Sequence, residues 1–372
     1  MMMRDERTLR VLDTGLRRAA ENLALNRSLL ECHQEGHSPH TLRFLRFEPS
    51  ALVGFHQNVD QELLTEVCRA EGIDIQRRIT GGGAIYFDPT QIGWELYVDK
   101  RFVGSSDMEK IAGRICRAAA RGISRLGVDA RFRPRNDIEV DGRKISGTGG
   151  AFDGDSIMYQ GTLLIDFDVE RMLRVLRIPA EKLSDKAIAS ARDRVANLRE
   201  LLGELPPLET IQQSLAEAFA ETFNVDLAPA DSMDGVEQSR FEQALREMDS
   251  DEWIYQRNRP AVDSPLLEAV HRAPGGLMRA GVSLDRERGR IGQVWITGDF
   301  FTNPRRMLVD LEAALRGIAV VDLERTLHDF FDDYPVEMLM LTRDDFIRVL
   351  RLALDSDDAA PANGDNPTHA VG

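Results

Sequence analysis

Cysteine is scarce in this chain of 372 residues: Cys32, Cys68 and Cys116 are the three present, and none sits in a Cys-x-x-Cys pair. That excludes a disulfide framework and fits no zinc-site spacing, so a reducing compartment is expected. Cys116 falls in a stretch, 111–124, that reads as a helix, where a small buried hydrophobe is its natural role. Long apolar runs are missing too. No segment approaches the roughly 20 apolar residues that a membrane helix needs, and residues 1–7 have no apolar core of the secretory kind. A soluble, cytoplasmic protein is expected. Basic charge is short as well. The formal net charge is −15, which argues against nucleic acid as the main partner, because phosphate binding takes a strong basic face. A local basic patch around an anionic substrate remains compatible with it. No internal repeat is visible.

What is present is an ordinary globular composition, 42% hydrophobic and 29% charged. The length suits two or three domains of roughly 100–200 residues each. Apolar spacing predicts a helix over 16–35, with Asp13-Thr14 ahead of it as a cap. Strands are expected at 42–47, 51–55 and 73–79, with a helix at 59–71 between the last two. Further strands are expected at 84–88, 94–98 and 161–167, and helices at 107–126, 169–176 and 207–223. Residues 131–145 read as a hairpin turning at Asp141-Gly142, a dipeptide suited to a two-residue turn. Regular β-α-β alternation is absent, which predicts α+β with a mainly antiparallel sheet.

A polar, proline-containing break falls at Ala228-Pro229-Ala230-Asp231-Ser232. The expected division is therefore 1–231, then a smaller unit over 236–355, then a disordered tail at 356–372. The smaller unit opens on a charged helix, 236–249. A hairpin of 276–284 and 289–297 follows, with helices near 307–316, 321–331 and 343–354.

Chemistry concentrates first in Arg77-Arg78-Ile79-Thr80-Gly81-Gly82-Gly83-Ala84-Ile85-Tyr86-Phe87-Asp88. Three glycines between strands let a ligand approach the backbone, and their amides can cradle an anion. Two adjacent arginines can hold a carboxylate or phosphate in forked geometry. A P-loop is excluded, because its Gly-Lys-Ser/Thr end is missing. Taken alone, the stretch also reads as a flexible hairpin turn with surface arginines. It resembles, at nearly every position, the lipoate-binding signature of the lipoate–protein ligase A family, Arg-Arg-x-Ser/Thr-Gly-Gly-Gly-Ala-Val-Tyr-His-Asp. Phe87 departs from it, standing where the family has histidine, and that departure bears on the acyl substrate.

Two more segments carry the resemblance. Asn136-Asp137-Ile138-Glu139-Val140-Asp141-Gly142-Arg143-Lys144-Ile145-Ser146-Gly147 is similar to the family's second signature, which implies that Lys144 is the catalytic lysine. A fixed ammonium offsets the repulsion between an acyl carboxylate and the α-phosphate of ATP and stabilises the charge building at phosphorus. By composition alone it is a solvated lysine two residues past a turn. Residues 182–198 resemble the family's adenylate-binding loop, a lid that keeps water off a labile mixed anhydride; the plain alternative is a charged surface loop. The resemblance runs from about residue 13 to 352. It takes in Pro274-Gly275-Gly276-Leu277 and Ile296-Thr297-Gly298-Asp299-Phe300-Phe301, which look like the family's accessory domain.

The resemblance implies a biotin/lipoate ligase-like α+β fold, a mainly antiparallel mixed sheet flanked by helices, with a smaller α+β C-terminal domain. It implies an ATP-dependent ligase that activates lipoic or octanoic acid as the acyl-adenylate and passes it to a lysine of a lipoyl-type carrier domain. Lipoate would lie at Arg77, Arg78, Thr80, Gly81, Gly82 and Gly83. Nucleotide would lie at Ala84, Tyr86, Asn136, Asp137, Ile138, Lys144, Gly161 and Thr162, with Mg²⁺ arriving on ATP near Asp137. Lys182, Lys186, Arg192 and Arg194 would belong to the lid. The main alternative is an ATP-independent octanoyl or lipoyl transferase, which moves the acyl group through a cysteine or directly from a thioester. In one such group the nucleophile lies in the loop after the lysine; here that stretch, 146–158, has no cysteine and is rich in glycine. Biotin ligation lacks its Gly-Arg-Gly-Arg signature. A non-catalytic binder of lipoylated carriers rests only on Phe87 and the glycine-rich stretch.

Overall fold

The computed structural model describes residues 7–134, 136–177, 185–261 and 265–356. The chain parts into two compact units, Met1–Asn258 and Arg259–Gly372.

The first unit contains eleven strands: β1 (Thr8–Arg17), β2 (Thr41–Phe47), β3 (Ser50–Val53), β4 (Asp74–Arg77), β5 (Ile85–Phe87) and β6 (Gln91–Asp99) lead. Then come β7 (Ala130–Arg133), β8 (Asp137–Val140), β9 (Arg143–Asp153), β10 (Ser156–Leu164) and β11 (Asp226–Ala230). Eight of them form one mixed sheet in the order β11-β1-β2-β6-β10-β9-β8-β7. Only β1 has parallel neighbours, and the other ladders are antiparallel. A small second sheet, β4-β3-β5, stands beside it. This is the α+β, mainly antiparallel architecture expected.

Side-chain alternation explains the layering. On β6, Trp94, Leu96 and Val98 enter one core with Ile111, Ile115, Leu215 and Phe219 of the helices Met108–Ser124 and Leu208–Phe223. Tyr97 points the other way, into a core with Leu23 and Leu30 of the helix Ala19–Glu35 and with Met158. Each fully buried aliphatic or aromatic side chain contributes about 1.5–3 kcal/mol, so β6, covered on both faces, is the spine of the unit.

Several expectations need correcting. Asp13 and Thr14 do not cap the first helix but lie in β1, whose register breaks between Asp13 and Leu16. The helix starts at Ala19, and Glu21 accepts from the Arg18 amide at 3.2 Å. The helix foreseen at 59–71 is two, Val59–Glu62 and Thr65–Ala70, because Leu63 bridges to Leu176 and the Leu64 amide donates to the Val175 carbonyl at 2.9 Å. Residues 146–158 are not a loop: β9 and β10 pair without interruption from Thr148↔Gly161 to Asp153↔Ser156. The charged helix, Gly235–Met248, packs on Ala19–Glu35 in the first unit and does not open the second. Its Glu237 is fully buried and receives Arg10 in a fork (2.8 and 2.6 Å) and the Ser38 hydroxyl at 2.5 Å.

The second unit has an antiparallel sheet of Leu267–Ala273, Gly276–Asp285 and Arg290–Gly298. The helices Met307–Leu315, Leu323–Asp333 and Arg343–Asp355 pack on it around Phe300, Leu311 and Phe346. The expected hairpin and three helices are there, with an additional strand at Leu267–Ala273. The tail foreseen at 356–372 lies outside the described residues from 357 on. No helix among the described residues is long and apolar enough to cross a membrane.

Candidate active site

The triple glycine links β4 to β5. Gly82 has φ 89°, a backbone region that glycine enters without a Cβ penalty. Arg78 organises the loop from behind. Its Nη2 donates to the carbonyls of Gly81 (3.2 Å) and Gly83 (2.8 Å), its Nη1 to Leu52 (3.0 Å) and its Nε to the Thr80 hydroxyl (3.3 Å). The amides of Gly81, Gly82 and Gly83 are left without an acceptor among the described residues. Successive unsatisfied amides are the raw material of an anion site.

Arg77 braces the neighbouring loop. Its Nη1 donates to the carbonyls of Gly54 (3.0 Å), Phe55 (3.0 Å) and Gln57 (2.6 Å), and its Nε to Trp253 and Ile254. Burial, then the nearby Arg257 and Arg78 charges, pull the Arg77 guanidinium down to about 9, and burial pulls Arg78 down to about 10. Both arginines therefore turn most of their donors to the backbone, though the buried Arg77 Nη2 has no hydrogen-bond partner among the described residues. They shape the loop.

Lys144 enters from the other side. It sits at the start of β9, just past the Asp141-Gly142 turn, where φ is 51° and 74° as a tight two-residue hairpin turn requires. Its amide donates to the Arg194 carbonyl at 2.8 Å and its carbonyl accepts from Ala196 at 2.9 Å. The root of the expected lid is thus laced to the lysine's own backbone. The Lys144 ammonium lies 2.7 Å from Asp137 Oδ1. A Cβ on Gly147 would lie 2.9 Å from Lys144 Nζ, so the missing side chain is what lets the ammonium rest over the strand. Thr162 on β10 accepts from the Gly147 amide at 3.2 Å. Two residues earlier on the same face, Gln160 reaches the Thr80 hydroxyl at 3.5 Å. Residues i and i+2 of a strand share a face, so β10 sets the lysine and the glycine loop on one side of the sheet.

The remaining sequence candidates divide. Thr162 and Asp137 join Lys144. Asn136 is adjacent, but its amide donates to the Thr148 carbonyl at 3.1 Å and braces β9. Ile138 is fully buried in the main core, leaving only its backbone to a ligand. Gly161 opens onto the core as well: a Cβ there would lie 2.3 Å from the Trp94 ring. Ala84 is half-buried on the loop. Tyr86 is buried, its ring 5.6 Å beneath the Arg171 guanidinium, and burial with the nearby Asp88 charge pushes its phenol well up. The phenol oxygen has no hydrogen-bond partner among the described residues. Arg192 is paired with Glu170, and the Arg194 side chain is exposed. Lys182 lies outside the described residues, and Lys186 is placed only as part of the helix Asp185–Arg192. No group of three or more His, Cys, Asp or Glu among the described residues can hold a metal.

Comparison with known proteins identifies the family. The lipoyl protein ligase A/B catalytic domain family matches residues 18–220. The chain belongs to that family. Among curated relatives, octanoyltransferase LipM of Kyrpidia tusciae is 28% identical over 67% of this chain and 99% of its own length. Lipoate-protein ligase LplJ of Bacillus subtilis is 29% identical over 70% of this chain and 76% of its own length. A Thermoplasma acidophilum structure, of a bipartite lipoate protein ligase and its E2 lipoyl domain, matches with TM-score 0.61 and 26% identity, covering 68% of this chain and 98% of that one. A structure of P. falciparum LipL1 in complex with lipoate matches with TM-score 0.72 and 18% identity over 92% of this chain and 99% of that one, a likeness of fold that reaches past the catalytic domain.

Ligases and octanoyltransferases of the family thus match about equally well. Three further features of the structure belong to the site and its surroundings. All three cysteines are buried, and burial pushes Cys32 and Cys68 up to about 11 and raises Cys116, whose Sγ lies 3.4 Å from the Thr148 hydroxyl. Phe87, in the family's histidine position, is buried against Phe47 at a ring distance of 4.5 Å and lies in a hydrophobic core. Gly54 was not singled out in the sequence, yet a Cβ on it would meet the Gly82 carbonyl oxygen at 2.0 Å. Isolated glycines carry no signal for such a contact; only the fold reveals it.

Proposed function

We propose that this enzyme is an ATP-dependent lipoate–protein ligase. The observation that carries the ligase reading over an acyl-cysteine transferase is the burial of all three thiols. A transferase of that kind needs a thiolate within reach of its acyl donor. The glycine loop takes the acyl end, with its free amides and Thr80 near the carboxylate. The carboxylate oxygen attacks the α-phosphorus of ATP, pyrophosphate leaves, and the acyl-adenylate remains. Lys144 neutralises the charge gathered between carboxylate and phosphate, with Asp137 holding the ammonium until the nucleotide arrives. A carrier lysine, as free amine, then attacks the acyl carbon; AMP leaves, a proton is released and the amide is formed. Lipoic or octanoic acid, Mg-ATP and a lipoyl-type carrier domain are the substrates, and 182–198 is the lid.

The test is lipoate-dependent pyrophosphate release from Mg-ATP without carrier, run beside Lys144→Ala. We expect release from the wild type and none above background from a folded variant. A lipoate-binding wild type that releases no pyrophosphate, yet transfers octanoyl from a carrier thioester, would establish the transferase instead.

A further inference from the structure

Side chains alternate along a strand, so residues three apart lie on opposite faces. Lys144 and Gly147 are three apart on β9, yet the Lys144 ammonium lies 2.9 Å from where a Gly147 Cβ would stand. The register explains it. Val140↔Arg143 and Glu139↔Lys144 pair in one register, and Ile138↔Ser146 and Asp137↔Gly147 in the next, so β9 holds one residue more than β8. That residue is Ile145, and the irregularity is a β-bulge. Ile145 and Ser146, though consecutive, are both fully buried. Carried on in the register of Gly147, Lys144 would stand opposite Val140, whose side chain belongs to the main core. The bulge is what brings the ammonium to the face of Asp137, Gly147 and Thr162.

A bulge disrupts its own ladder and has to be held from elsewhere. β10 does not hold this one, because its pairing with β9 starts at Thr148. Residues 194–196 take its place: the Lys144 amide and carbonyl bond Arg194 and Ala196, and Val195 makes a parallel bridge to Lys144. Asn197 fixes that segment. Its Oδ1 accepts from the Phe167 amide at 2.8 Å, and its Nδ2 donates to the Phe167 carbonyl at 3.0 Å. A carboxamide offers a donor and an acceptor side by side, the match for one residue's N–H and C=O. On either side Ala196 and Leu198 are buried in the main core, and the Arg199 amide donates to the Ile165 carbonyl at 2.9 Å. Phe167 lies three residues past the end of β10. One side chain therefore ties the strand that carries Gln160 and Thr162 to the segment that holds the bulge.

We infer that Asn197 is a positioning residue for the step that Lys144 performs. It holds 194–196 against the bulge, and the bulge keeps the ammonium on the site face. The inference rests on the ligase reading and its catalytic lysine. Asn197 acts through the Lys144 backbone, so its loss frees the bulge and lets the ammonium drift from its place over Gly147.

The test is carrier-free pyrophosphate release by wild type, Asn197→Ala, Gly147→Ala and the double variant, with active sites counted by lipoate titration. Asn197→Ala is expected to lose at least about tenfold in kcat, as a displaced reacting group does. The lipoate KM is expected to stay within about threefold, since the loss belongs to the reacting step. The double variant separates positioning from general damage. Both single changes misplace the same ammonium, so the double variant is expected within about threefold of the slower single one. Independent damage would instead multiply the two losses. A kcat for Asn197→Ala within about twofold of wild type, or a double variant at the full product, overturns the inference and leaves Lys144 catalytic. Should Asn197→Ala not fold, Asn197→Asp, which keeps the acceptor for the Phe167 amide, carries the same comparison. If the wild type forms no adenylate, or Lys144→Ala still forms it, the ligase reading falls and this inference with it.

Discussion

Gly147 carries no side chain, and the space it leaves is where the Lys144 ammonium lies. Replacing it with alanine puts a methyl 2.9 Å from the lysine Cε and Nζ. The strand backbone there suits any residue, so the flexible lysine tip moves rather than the fold. Displacing a reacting group by about 1 Å costs on the order of 100-fold in rate. We expect Gly147→Ala to lower carrier-free adenylation by about that factor, with unfolding free energy within about 0.5 kcal/mol of wild type. Pyrophosphate release and urea titration measure the two halves. Thiols give the complementary prediction. With Cys32 and Cys68 pushed up to about 11 and Cys116 raised by burial, almost no thiolate exists near neutral pH. Native protein treated with iodoacetamide should take up no label, by intact mass, and keep full ligation activity. Three labels should appear only after unfolding. Labelling of one native cysteine with loss of acyl transfer would count against the ligase.

At the scale of elements, the helix Gly235–Met248 is fastened by one buried carboxylate. Burial by itself would push Glu237 up, but the hydrogen bonds and charge of Arg10, with Ser38 and the Asp234 amide, hold it below the usual range. A carboxyl whose folded pKa is depressed stabilises the protein fully above its unfolded value, about 4.3 for glutamate, and that stabilisation is lost as pH falls through the lower folded value. Glu237→Gln leaves Arg10 buried without its counter-charge, at a cost of about 3 kcal/mol at neutral pH. It should also flatten the loss of stability below about pH 4. Urea titrations across pH check both.

Elements with a single strong period were legible in the sequence: the helix Met108–Ser124, the strand β2 and the Asp141-Gly142 turn all stand where they were expected. β1 was not, because its polar and apolar residues mix around a break at Gly15. β9 was read as a loop because glycine favours no strand. Those glycines have local uses: Gly147 admits Lys144, and a Cβ on Gly150 would press the Tyr159 ring at 3.0 Å. The structure brings the glycine loop and Lys144, from two separate motifs, to one side of the sheet. The direction of each side chain was not readable, since Arg77, Arg78, Ile138 and Gly161 face the interior only by virtue of strands that pair far along the chain.

For the whole molecule the question is where the first unit ends. A proline-bearing polar stretch suggested residue 231, yet two anchors of the active-site half lie beyond it. Glu237 answers Arg10, and the carbonyls of Trp253 and Ile254 receive Arg77, whose other donors hold the 54–58 loop under Gly82. The core around Phe300 and Phe346, by contrast, draws its residues from 269–354. Two truncations separate the possibilities. A fragment of residues 1–258 should melt in one cooperative transition and bind lipoate within about threefold of the full chain, since every contact to the glycine loop is retained. A fragment of 1–231 strips both anchors, leaving Arg10 without its carboxylate and the Arg77 Nε without its acceptors, at about 3 kcal/mol or more for the broken ion pair alone. It should be unfolded or bind no lipoate at the same temperature. Calorimetry on both fragments, with isothermal titration of lipoate, decides it. Equal behaviour of the two would place the functional boundary back at the proline and reduce the helix Gly235–Met248 to a passive linker.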